Sequence, residues 1–141
     1  MRLPDVNVLV NAVHEESPHH PAARAWLEAS VAHPQGLGMA WLALVGFIRI
    51  ATRPGLFARP LPVDQAMGLV DEWISHPQVR IVQPGPRHAG ILGRLLVAAG
   101  TGGNLTNDAH LAALAIEHNA EVGTFDRDFK RFAGLRFQLL S

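Results

Sequence analysis

The chain has 141 residues, 48% of them hydrophobic and 17% charged, with a formal net charge of zero. That apolar content excludes a disordered chain, and the neutral balance excludes a global basic field, so any nucleic-acid binding must come from a local patch. There are no cysteines, which excludes disulfides and thiolate metal sites, and no run approaches the roughly 18 apolar residues that span a membrane. The length predicts one domain, residues 1–141, with a real core. Met1-Arg-Leu-Pro-Asp5 lacks the long apolar run of a secretory leader, so a cytoplasmic protein is expected.

Taken in order, Met1–Asp5 reads as a very short strand ending in a carboxylate, with Pro4 marking where pairing stops. Val6, Leu9, Val10 and Val13 fit one face of a short helix, which also sets Asn7 and Asn11 a turn apart. Ser17-Pro18 predicts the next helix start, with Ser17 as cap and an inner face of Ala22, Ala23, Trp26, Leu27, Ser30 and Val31. Leu37–Ala40 is a second short strand. Trp41–Ile50 is almost wholly apolar, which predicts burial on most sides. Its lone charge, Arg49, reads either as a snorkelling rim residue or as a cation aimed at phosphate or carboxylates.

Residues 52–62 carry three prolines and a glycine and read as irregular chain ordered by Leu56, Phe57 and Leu61. Arg53 and Arg59 on that loop are candidates for an RNA backbone, or plain solvated charges. Val63-Asp64 caps a helix with Met67, Val70, Trp73 and Ile74 inward, and Val79–Val82 is a third strand. Pro86 starts another helix, with Ile91, Leu92, Leu95 and Leu96 inward. Gly100-Thr-Gly-Gly103 lacks the spacing of a phosphate loop and follows a helix, so it reads as a connection. The eight histidines form no i, i+4 pair and read as surface or capping residues.

Asn104–His118 is the strongest helix, with Leu111, Ala112, Leu114 and Ala115 inward and Thr106 or Asn107 as the cap. Asp108 falls in its first turn, where the helix dipole favours a carboxylate by about 0.3–1 kcal/mol. A short apolar run, Glu121–Thr124, follows, then Asp126 and Asp128, and Arg136–Leu140 closes the chain as an edge strand. Helices alternating with short strands predict an α/β fold. Asp5, Asp108 and Asp126 (or Asp128) then each stand at a strand end or a helix start, and in open parallel sheets such ends gather on one edge. Crowded carboxylates repel unless a cation sits among them, and a hard ion such as Mg²⁺ prefers carboxylate oxygen and water.

On Asp5-Val-Asn7, Trp41–Thr52 with Gly46-Phe-Ile-Arg49, Asn104–Ala115 and Thr124-Phe-Asp126-Arg-Asp128-Phe-Lys-Arg-Phe132, the chain resembles a PIN-domain ribonuclease of the VapC toxin type over nearly its whole length. The resemblance implies a three-layer α/β/α sandwich around a short-stranded, mostly parallel sheet, and Mg²⁺-dependent cleavage of RNA (tRNA, rRNA or mRNA), with Mn²⁺ as a possible substitute. It assigns Asp5, Asp108 and Asp126 as catalytic and metal-binding acids, with Asp128 as a neighbour acting through water. Beside them, Asn7 and Thr124 are auxiliary candidates, and Arg49, Arg53 and Arg59 are candidates to hold the RNA backbone. It also implies a VapB-type antitoxin as partner and a homodimer. One departure is Gly46, where many such nucleases carry a glutamate. Two other readings stand beside this one: a PIN-fold binding module that has lost catalysis, and a different metal-dependent phosphohydrolase.

Overall fold

The computed structural model describes residues 1–141. Its strands are three or four residues long: β1 (Arg2–Pro4), β2 (Leu37–Met39), β3 (Val79–Ile81), β4 (Glu121–Thr124) and β5 (Phe137–Leu139). The helices are α1 (Val6–Val13), α2 (His20–Val31), α3 (Trp41–Thr52), α4 (Val63–Ser75), α5 (His88–Ala99) and α6 (Thr106–Glu117). Two 3-10 turns, Gly103–Leu105 and Arg127–Arg131, sit on either side of α6 and β4. Every pairing in the sheet is parallel, in the order β3-β2-β1-β4-β5. The chain runs outward from β1 to β3 and then returns to the other side, so the topological switch point lies between β1 and β4.

Pro4 shows how a proline survives in a central strand. Arg2 donates toward β2, to the Gly36 carbonyl, and Asp5 donates toward β4, to the Gly123 carbonyl. Alternate residues face alternate neighbours, so the donor that Pro4 lacks would face β2. There the ladder is registered only at Arg2 and Leu37.

Two apolar cores cover the two faces of the sheet. One joins Leu3 and Val122 to Ile91, Leu95, the inner face of α6, Phe129 and Phe132. The other joins Leu37 and Met39 to α1, α2, α3 and α4 through Val8, Leu9, Trp26, Leu44, Phe47 and Val70. Helices on both faces make the expected three-layer α/β/α arrangement, and the sheet is parallel throughout.

Several local expectations need correction. α2 starts at His20, later than Ser17-Pro18 implies, because Ser17 holds the preceding turn instead. Its hydroxyl donates to Asn11 and accepts from the N–H of His19. α4 has no side-chain cap, and Met67 is 37% exposed, since the buried face is centred on Ala66 and Val70. α3 is covered on most sides, packing on α1 and α4, but one stripe stays open: Trp41 is 42% and Val45 57% exposed.

Candidate active site

Parallel strands end on one edge, so β1 and β4 deliver the residues that follow them, Asp5 and Asp126, to the same place. Asp5 caps α1: Oδ1 accepts the backbone N–H of Val6 at 2.7 Å. Oδ2 accepts the Thr124 hydroxyl at 2.8 Å. That hydroxyl oxygen in turn accepts the N–H of Asp126 at 2.9 Å and the Asn7 amide at 3.4 Å. A hydroxyl offers one donor and two acceptor positions, and here all are used. Asn7 also accepts the N–H of Phe125 at 3.2 Å, and Asp126 accepts the N–H of Asp128 at 2.8 Å. Thr124 is fully buried and Asp5 is 6% exposed, so this network fixes both strand ends with little help from water.

Asp108 arrives from the other side of the switch point. The 3-10 turn Gly103–Leu105 runs into α6, and the Gly103 carbonyl takes the N–H of Thr106. Neither Thr106 nor Asn107 is therefore the cap; Leu105 holds that position without a side-chain bond. Asp108 still lies in the first turn. It shares with Asp5 a cleft of about 160 Å³, walled by Leu42, Val45, Gly46 and Arg49 of α3 and by Asn107.

The electrostatics follow from this placement. Burial is the main cause that raises the Asp5 carboxyl above its ordinary range, the bonds from Thr124, Val6 and Asn7 oppose it, and the Asp126 charge adds to it. Asp108 is pushed up to about 7, first by burial and then by the charges of Asp5, Asp126 and Asp128. The acids thus share one field. They do not form a ready-made cage, since no three acidic or histidine side chains stand together as one set of ligands. Asp128 opens onto a separate recess formed by residues 101–105 and Arg131.

The three arginines separate. Arg49 walls the acid cleft, Arg53 is exposed just past the end of α3, and Arg59 lines a different groove beside His14 and Phe57. Gly46 has a packing reason: a Cβ there would lie 2.9 Å from Cγ2 of Val6, so α1 and α3 could not approach as they do. Its place is explained by that contact, without invoking a lost ligand. Sequence reasoning missed Asn107 as a cleft residue, although its position beside Asp108 in the first turn was a usable signal. It also missed the pair of buried His88 and half-buried His110, whose ring nitrogens meet at 3.0 Å between α5 and α6.

An α/β protein with two carboxylates in one cleft at the switch point of a parallel sheet is the class that the fold and the site define. The sequence matches the PIN domain over residues 2–135, and the chain belongs to that family. It is 47% identical over 137 residues to Ribonuclease VapC37 of Mycobacterium tuberculosis, covering 97% of this chain and 95% of the relative. It is 43% identical to Ribonuclease VapC33 of the same species, covering 97% and 96%. Among solved structures it is similar to VapBC2 of Rickettsia felis bound to a promoter DNA fragment, with TM-score 0.73, 19% identity and coverage of 99% and 98%. It is also similar to Mycobacterium tuberculosis VapC20, a sarcin-ricin loop cleaving toxin, with TM-score 0.70, 17% identity and coverage of 96% and 99%. At those identities the solved structures show a shared fold.

Proposed function

We propose that this chain, as one PIN domain over residues 1–141, is the ribonuclease toxin of a type II toxin–antitoxin pair and works in the cytoplasm with a divalent cation held by Asp5 and Asp108. The observation that carries the reading is the cleft these two carboxylates share at the switch point. The donor set fits the group. Mg²⁺ is commonly held by one or two carboxylates and keeps several waters, so a closed cage is not required. Asp108 is raised by burial and by neighbouring negative charge, which is the field a cation relieves.

When bound, Mg²⁺ or Mn²⁺ supplies Lewis acidity toward a phosphoryl oxygen and makes a bound water more acidic. The protein's own part is positional. Asp5 is fixed by Val6 and Thr124, and Asp126 is tied to the same hydroxyl through its N–H. The charge of Asp126 raises both carboxyls, which supports a part for it in orienting water or ion. Arg49, on the cleft wall, is placed to take the scissile strand's phosphate.

Two cavities of about 710 and 420 Å³ share Ala12, Val13, Arg24 and Leu69 and so form one groove between α1, α2 and α4. Phe57 lines one half and Trp73 the other, over an aliphatic floor. This supports seating the apolar face of a VapB-type antitoxin helix there.

The test is cleavage of a small-RNA pool by purified, antitoxin-free protein with Mg²⁺, with Mn²⁺ and with chelator, beside the Asp5→Ala/Asp108→Ala variant. Discrete fragments that need metal and vanish in the variant are expected. Equal cleavage by parent and variant at matched purity would refute the assignment.

A further inference from the structure

The three tryptophans are used differently. Trp26 is 5% exposed and its indole N–H donates to Gln138, and Trp73 packs edge-on against Phe47 with centroids 4.9 Å apart. Trp41 is 42% exposed and makes no such contact. It is not an isolated surface residue, because Val45, one turn further along α3, is 57% exposed. Residues 41, 45 and 49 follow at steps of four and fall along one face of the helix. Val45 and Arg49 are walls of the cleft that holds Asp5 and Asp108. That face therefore runs from an open aromatic plane, through an aliphatic step, to a cation beside the acids.

We propose that Trp41 is a stacking platform for one unpaired base of the RNA substrate, with Arg49 taking the backbone phosphate next to the acids. This rests on the ribonuclease reading. Single-stranded RNA is held by aromatic planes together with cations, and every base has a face to stack, so such a platform positions the strand without reading its sequence. Trp41 and Arg49 are about 12 Å apart along the helix axis, which seats a nucleotide flanking the cleaved bond and leaves the acids free. A second copy of the chain is the weaker occupant. A stable dimer buries about 800 Å² on each side, more than Trp41 and Val45 offer.

The experiment measures binding of a labelled single-stranded oligoribonucleotide, and of the same oligomer with abasic sites, to the full chain carrying Asp108→Asn. Adding Trp41→Ala is expected to weaken binding of the intact oligomer on the order of tenfold and to leave the abasic oligomer unchanged. Trp41→Phe restores most of the affinity. Arg49→Ala instead lowers the salt dependence, which Trp41→Ala does not. Unchanged affinity in Trp41→Ala, or an equal loss on the abasic oligomer, overturns the platform while a parent that still cleaves RNA keeps its activity assignment. A Trp41→Ala chain of halved mass in sedimentation with unchanged RNA affinity gives the face to a protomer contact and also overturns the platform. A parent that neither binds nor cleaves RNA removes both proposals.

Discussion

Thr124 joins two strand ends through one hydroxyl, and it holds one oxygen of Asp5 while the Val6 N–H holds the other. Asp108 has no equivalent support and is the electrostatically expensive residue of the site. Its folded value is about 7 against an ordinary 3.8, so between these values the folded protein keeps a proton that the unfolded chain releases. Stability therefore falls as pH rises through that window, and the full cost is present above it. With a discount for the solvent that reaches this half-buried group, the cost is about 1–2 kcal/mol. Asp108→Asn is neutral at every pH. In chelator at pH 8 it is expected to raise Tm by roughly 3–8 °C, and at pH 4 to leave it near the parent. Thermal melts at the two pH values check this, and an equal gap at both would contradict it. Added Mg²⁺ should stabilise the parent more at pH 8 than at pH 5, since ion and proton compete for one carboxylate.

At the scale of elements, the contact between α1 and α3 is set by Gly46 against Val6. Val6 is β-branched and stiff, and it follows Asp5 directly, so pushing it away disturbs the carboxylate. Gly46→Ala gains about 1 kcal/mol of helix propensity and loses a comparable amount to overpacking. The expected result is near-parental Tm with severalfold lower cleavage. Val6→Ala opens the space, so the double variant should recover activity that Gly46→Ala lost. A double-mutant cycle on cleavage rate reads this coupling, and strictly additive effects would show that the contact does not matter to the site. β4 carries a similar constraint: Gly123 lies against the Trp26 ring, and a methyl there would collide with it.

For the whole molecule, the acid cleft and the apolar groove are separate surfaces that share no lining residue. Leu69 lines both halves of the groove and none of the cleft. Leu69→Glu is expected to abolish capture of the cognate antitoxin while leaving RNA cleavage by the isolated chain within about twofold, because it places a charge on an apolar docking floor. Pull-down and cleavage on the same preparation check this. Loss of both functions would mean that the two surfaces are not independent.

Much of this was legible in the sequence because the signals were local. Alternating short apolar runs and amphipathic helices fixed the element order. Asp5, Asp108 and Asp126 each stood out as a carboxylate at an element end, which a parallel sheet must bring to one edge. Side-chain spacing also found the buried face of α6, since a helix repeats its own environment every turn. Tertiary structure alone decided what depends on distant partners. It placed Asp5 and Asp108 in one cleft and Asp128 on another recess, and it divided Arg49 from Arg59. It left Trp41 in solvent on a helix that composition alone would bury. It gave Gly46 its reason in Val6, forty residues earlier in the chain. Which neighbour a side chain meets is set by how helices cross the sheet, and no stretch of chain carries that information about itself.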